Sequence, residues 1–171
     1  RFIRSGADLD ENEKAQLREI NKELSSLELT FGQNILAETN AYQKFVTDKD
    51  ELKGIPENVI QAAAEAAKKE GKDGQWLFTV SKTSFIPVLQ YGENRELRKE
   101  LLLAYASRCD NNNEYDNKDV INRIMKLRVK KANLLGFESP AAFILDNTMA
   151  KTPEAVYSFL DKVWQPALAK A

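Results

Sequence analysis

The sequence predicts a mainly α-helical chain, a multi-helix segment with a long N-terminal helix and at most a small β element near residues 76–80. Three observations carry that expectation. Leu17, Ile20, Leu24, Leu27 and Phe31 fall at alternating spacings of three and four, the period of a helix that keeps one face apolar. Helix-start signals recur: Asn94 precedes an apolar run, and in Ser139-Pro140 and Thr152-Pro153 an N-cap is followed by a proline whose missing N–H costs nothing in the first turn. Only Trp76 to Val80 is short, aromatic and β-branched enough to read as a strand.

Each element follows in order. Asp10 with Glu13 three residues on predicts a capping box and a helix from Glu11. The apolar stripe continues past Gly32 through Ile35, Tyr42 and Phe45, so this helix is expected to reach Val46, a rod about 54 Å long at the standard rise. A globule of this size has a radius of gyration of only about 15 Å, so such a rod is expected to project or to pack against further chain. Thr47 to Pro56 reads as a turn, and Pro56 opens a second helix over Glu57 to Glu70. Its Ala62, Ala63, Ala64, Ala66 and Ala67 permit close approach of a neighbour, and Gly71 ends it. The strand comes next, then a helical turn near Ser84 to Tyr91 and an Asn94-capped helix through Ser107, with Leu97, Leu101 and Tyr105 every four residues. The Asp- and Asn-rich stretch from Cys109 to Asn117 is a loop. Asp116 or Asn117 caps a further helix whose Val120, Ile121, Ile124 and Leu127 form an apolar side, with Gly136 as its stop. Ser139-Pro140 starts a short helix to about Met149, and Thr152-Pro153 a last one.

Composition narrows the function. Of 171 residues 43% are hydrophobic, enough for a real core, and 25 basic against 26 acidic side chains leave a formal charge of −1 with no electrostatic footprint for nucleic acid. There is no histidine, so no Ser-His-Asp or Cys-His pair, no HExxH zinc motif and no imidazole base. The single cysteine, Cys109, rules out an intrachain disulfide. No window of eighteen apolar residues is present, so no membrane partner is expected, and one cysteine with no export signal in view points to the cytoplasm.

Five features invite a chemical reading. Asp8, Asp10, Asn12 and Glu19 occupy positions 1, 3, 5 and 12 of a calcium loop, but Glu13 stands where the sharp turn needs glycine and Ala15 at the eighth position, so the capping box is preferred. Arg123, Lys126, Arg128, Lys130 and Lys131 form a basic stretch without interleaved aromatics, which reads as a solvated face with ion pairs; Arg128, beside Leu127, is a candidate for a buried pair. Cys109 lacks an activating neighbour and reads as an incidental thiol. Trp76 and Trp164 read as core or interface aromatics, and carboxylate pairs such as Glu11 with Glu13 lack a cleft context. No catalytic, cofactor-binding or metal-ligating residue is therefore assigned in this chain.

Several blocks together resemble one family. Arg4-Ser-Gly-Ala, Leu17-Arg-Glu-Ile-Asn-Lys-Glu-Leu, Phe31-Gly-Gln-Asn and Tyr91-Gly-Glu-Asn-Arg-Glu-Leu-Arg are followed by Asp116-Asn-Lys-Asp-Val-Ile, Leu127-Arg, Lys131-Ala-Asn-Leu-Leu-Gly-Phe and Met149-Ala-Lys-Thr-Pro-Glu-Ala-Val. In order and spacing, over nearly the whole chain, they resemble the N-terminal half of the thimet-oligopeptidase-like zinc metallopeptidases, in the peptidyl-dipeptidase and oligopeptidase A branch. The resemblance implies a mostly helical, two-lobed enzyme with a deep channel that hydrolyses short peptides. Its zinc would be held by HExxH and a downstream glutamate, with the HExxH glutamate as the base. None of those positions exists here, so no catalytic or metal residue carries over.

On this reading residues 1–171 are one helical fragment, incomplete at both ends and inactive alone. It supplies channel wall to a parent hydrolase whose partners are peptide substrates and the remaining domain of the same chain. Arg1 in place of Met and a helix-forming run up to Ala171 fit that expectation. The alternative is a self-contained interaction module that offers the heptad stripe Leu17–Phe31 to a partner helix.

Overall fold

A computed structural model describes residues 2–170; Arg1 and Ala171, on which the expectation of cut ends partly rests, lie outside the described residues. Among the described residues there are seven α-helices and one two-stranded sheet, so the chain is mainly α. Their contacts divide it into two compact units, residues 29–120 and residues 2–28 with 121–170, the boundary falling inside two helices.

The first long helix, α1 (Glu11–Ala41), starts as the capping box dictates: the Glu13 N–H donates to Asp10 Oδ1 at 2.8 Å and the Asp10 N–H donates to Glu13 Oε2 at 3.0 Å. It ends five residues earlier than expected, at about 46 Å for its 31 residues. The stripe residue Phe45 belongs instead to a strand, β1 (Lys44–Val46), which pairs antiparallel with β2 (Trp76–Phe78), Phe45 opposite Leu77. Helical spacing and strand alternation coincide over so few residues. The tie is broken by pairing, since Val46 as a strand residue reaches the core at 1% exposure.

The unit 29–120 holds the principal core. After a 3₁₀ turn at Lys49–Leu52 come α2 (Glu57–Lys69), β2, α3 (Lys82–Tyr91) and α4 (Arg95–Ala106). Val46, Leu52, Ile55, Phe78, Phe85, Val88, Leu97 and Leu101 pack together with Ala63, and Tyr105 stacks on Phe85 at 4.4 Å. Of the alanine cluster in α2, Ala63 and Ala67 are the buried pair, four apart on one face, and Gly71 (φ +73°) terminates the helix as expected. Asn94 caps α4 by accepting from the N–H groups of Glu96 and Leu97. Gly54 (φ +83°) lies so close to the Tyr91 carbonyl that a Cβ there would stand 2.2 Å from its oxygen.

In the other unit the buried residues are fewer: Leu17 and Leu24, one heptad apart on α1, with Ile124, Leu127 and Ala132 of α5 (Lys118–Leu134). Gly136 (φ +81°) ends α5. Ser139 caps α6 (Pro140–Leu145), four residues shorter than expected because the Asp146–Ala150 stretch turns through a Thr148-to-Leu145 hydrogen bond. Thr152 Oγ1 accepts from the Ala155 N–H at the start of α7 (Pro153–Lys170).

Candidate functional site

Two pairs of the motifs that carry the family resemblance meet in space, and their polar groups are spent on framework contacts. Asn117 is 1% exposed, yet every group it offers is used: its Oδ1 accepts from Asn34 Nδ2 at 2.9 Å, its Nδ2 donates to the Phe31 carbonyl at 3.2 Å, and its N–H donates to the Cys109 carbonyl. Phe31-Gly-Gln-Asn and Asp116-Asn are thus two sides of one buried contact. Asp116, half-buried beside it, caps α5 through the Lys118 N–H.

Next to this contact Glu38 holds the polar loop. Its carboxylate accepts from Asn111 Nδ2 at 2.7 Å, from Asn113 Nδ2 at 2.8 Å and from the Cys109 N–H. Burial works against ionisation of Glu38, but these donors prevail and hold its carboxyl below the ordinary value. Cys109 is buried, with a left-handed φ of +61°; burial first, and then the Glu38 carboxylate, push its thiol up to about 11, so at neutral pH the free thiol is protonated. Arg108 stacks over Tyr105 at 4.0 Å and donates to Thr39 Oγ1.

The other motifs behave alike. Asn21 and Glu23, from the Leu17–Leu24 block, take Lys131 Nζ at 2.6 Å and the Arg123 guanidinium at 2.5 and 3.0 Å. The Arg123 hydrogen bond lowers the pKa of Glu23. Of the basic stretch, Arg123, Arg128 and Lys131 thus have partners on a solvated face, and Arg128 pairs with Glu28 at 3.0 Å with both side chains about half exposed, not buried as its position beside Leu127 suggested. Arg4, of the first block, lies over the Phe143 ring at 4.3 Å, donates to the Phe143 carbonyl and pairs with Asp146 at 3.3 Å. The calcium-like set Asp8, Asp10, Asn12 and Glu19 is spread along the helix start, with Asp10 committed to the cap. Trp76 packs partly buried against the core, whereas Trp164 is 61% exposed.

One cavity of about 300 Å³ lies between α2 and the end of β2, with Val59, Ala63 and Leu77 as floor and Thr79, Ser81 and Ser84 as rim. The Thr79 N–H donates to Ser84 Oγ, and Thr79 and Ser81 bond each other, so the rim is self-satisfied. No titratable group lines it. Sequence reasoning missed this groove, because it is made by the register of β2 against α2 and no residue type announces it. Among the described residues no cluster of three or more cysteines, aspartates or glutamates stands where it could hold a metal ion. The donor set does not fit the zinc implied by the resemblance: there is no imidazole, the single thiol is buried, and Glu23 and Glu38 are engaged by amides and guanidinium.

Sequence comparison agrees with this framework. Residues 88–171 match peptidase family M3. The match covers the C-terminal half of the chain, and the relatives extend the likeness to its N-terminal half: the chain is similar to a helical segment of the family M3 peptidases. In particular it is similar to oligopeptidase A of Haemophilus influenzae, 38% identical over 97% of this chain, and to dipeptidyl carboxypeptidase of Escherichia coli, 35% identical over 100% of it. The probable cytosolic oligopeptidase A of Arabidopsis thaliana is 35% identical over 97% of the chain. The chain spans about a quarter of the length of these curated relatives, 25% in each case. No helix among the described residues is long and apolar enough to cross a membrane.

Proposed function

We propose that this chain is the non-catalytic helical portion of a zinc metallopeptidase that hydrolyses short peptides, and that it contributes part of the wall of the substrate channel. One observation carries the reading: identity of 35–38% runs through essentially all of this chain but only a quarter of each relative. The zinc, the activated water and the glutamate base belong to the remainder of the parent polypeptide, whose peptide substrates and cytoplasmic placement are part of the same proposal. The reading of residues 1–171 as one fragment that is inactive alone belongs to it as well. An interaction module built on Leu17–Phe31 is not favoured, because Leu17 and Leu24, at 8% and 7% exposure, are already covered within the chain.

The gene tests this directly. Downstream of the codon for Ala171 the reading frame is expected to continue into an HExxH motif. A stop codon at that point, or a long continuation with no such motif, would overturn the proposal.

A further inference from the structure

The helix α7 carries far more apolar surface than a surface helix needs. At 100° per residue its polar Glu154, Ser158, Asp161 and Gln165 fall on one narrow line at i, i+4, i+7 and i+11, with Lys162 beside it. From Ala155 round to Leu168 the remaining arc, about 220° wide, is apolar except for Lys170 at the last position of the helix; the stripe of an ordinary surface helix is nearer ~100°. None of it is buried: Tyr157, Phe159, Leu160, Val163, Trp164 and Leu168 are all at least half exposed. On α5 of the same unit Ile121, Met125 and Val129, spaced by four, are likewise exposed. The covered residues of that unit are Leu17, Leu24, Ile124, Leu127 and Ala132, so it has the sequence of a core and only part of the core itself.

We infer that the apolar arc of α7 is one half of a buried interface whose other half is the remaining three quarters of the parent polypeptide, leaving the Glu154–Gln165 line facing water. This rests on the proposed reading of the chain as part of a longer M3 peptidase. The relatives supply the argument for that occupant, since each extends about four times the length covered here. An intramolecular partner also explains an arc too broad for a single docked helix: several segments must close round it.

Hydrogen exchange on the full-length protein tests the inference. Amides of residues 153–170 are expected to exchange at least ~100-fold more slowly than in a peptide of the same sequence, at a rate independent of protein concentration. The variants Leu160→Asp and Val163→Asp should abolish that protection, while Ser158→Asp and Gln165→Asp keep it and exchange across α2 reports that the rest is folded. Unprotected α7 amides, equal tolerance of Leu160→Asp and Gln165→Asp, or protection that grows with concentration, as for a second copy, would each overturn it. Peptide hydrolysis by the same preparation separates the two ideas: an active enzyme with unprotected α7 defeats this inference alone, and an inactive protein with protected α7 defeats the proposed activity alone.

Discussion

Asn117 shows how a residue with no visible chemistry can be indispensable. Its side-chain amide is buried and bonded at both ends, so removing it strands the Asn34 amide and the Phe31 carbonyl in a dry site. Asn117→Ala is expected to cost about 1–3 kcal/mol in a urea melt, and an unchanged midpoint would contradict the contact. Glu38 makes a pH-dependent prediction. Its folded pKa lies below the ordinary 4.5, so its contribution is fully present above 4.5 and is lost as pH falls through the lower folded value. The stability gap between the wild type and Glu38→Gln should therefore be widest near neutral pH and shrink below about pH 4.5; a gap that stays constant down to pH 3 would contradict it. The sequence marked Asp116 and Asn117 as cap candidates, because caps obey a local rule. It was silent on Asn34 and Glu38, whose partners lie 83 and more than 70 residues away and follow only from packing.

Among elements, those with chemical punctuation were legible. The Asp10–Glu13 box, the Asn94 cap, the two proline-led starts and the glycine stops all fall where expected, each being a short-range hydrogen-bonding rule. The end of α1 was not, because Tyr42 and Phe45 continue a helical spacing by coincidence and only pairing with β2 makes Lys44–Val46 a strand. Elsewhere in the same unit Gly54 lies against the turn that joins α3 to α4. In Gly54→Ala a left-handed φ and a collision with the Tyr91 carbonyl combine, and at least about 2 kcal/mol of destabilisation is expected by chemical denaturation. At the centre of the same unit Leu101, fully buried, should cost about 2–5 kcal/mol on truncation to alanine. If Leu101→Ala cost less than Leu102→Ala, whose side chain is 49% exposed, the core assignment would be wrong.

At the scale of the whole molecule, the absence of histidine was the most informative line of the sequence, and it concerns chemistry more than shape. The family motifs serve as framework: Asn21 pairs with Lys131 and Asn117 with Asn34, while Arg4 of the first block is held at Phe143, outside the motifs. Sequence patterning marks the apolar arc of α7 but does not say what covers it, and among the described residues that arc stays exposed. The proposed function places hydrolysis in the remainder of a longer peptidase, with these helices as its frame. The most direct measurement is zinc content together with peptide turnover, made side by side on purified full-length protein and on residues 1–171. The account predicts stoichiometric zinc and chelator-sensitive cleavage of short peptides in the former and neither in the latter; zinc-dependent turnover by residues 1–171 alone would contradict it.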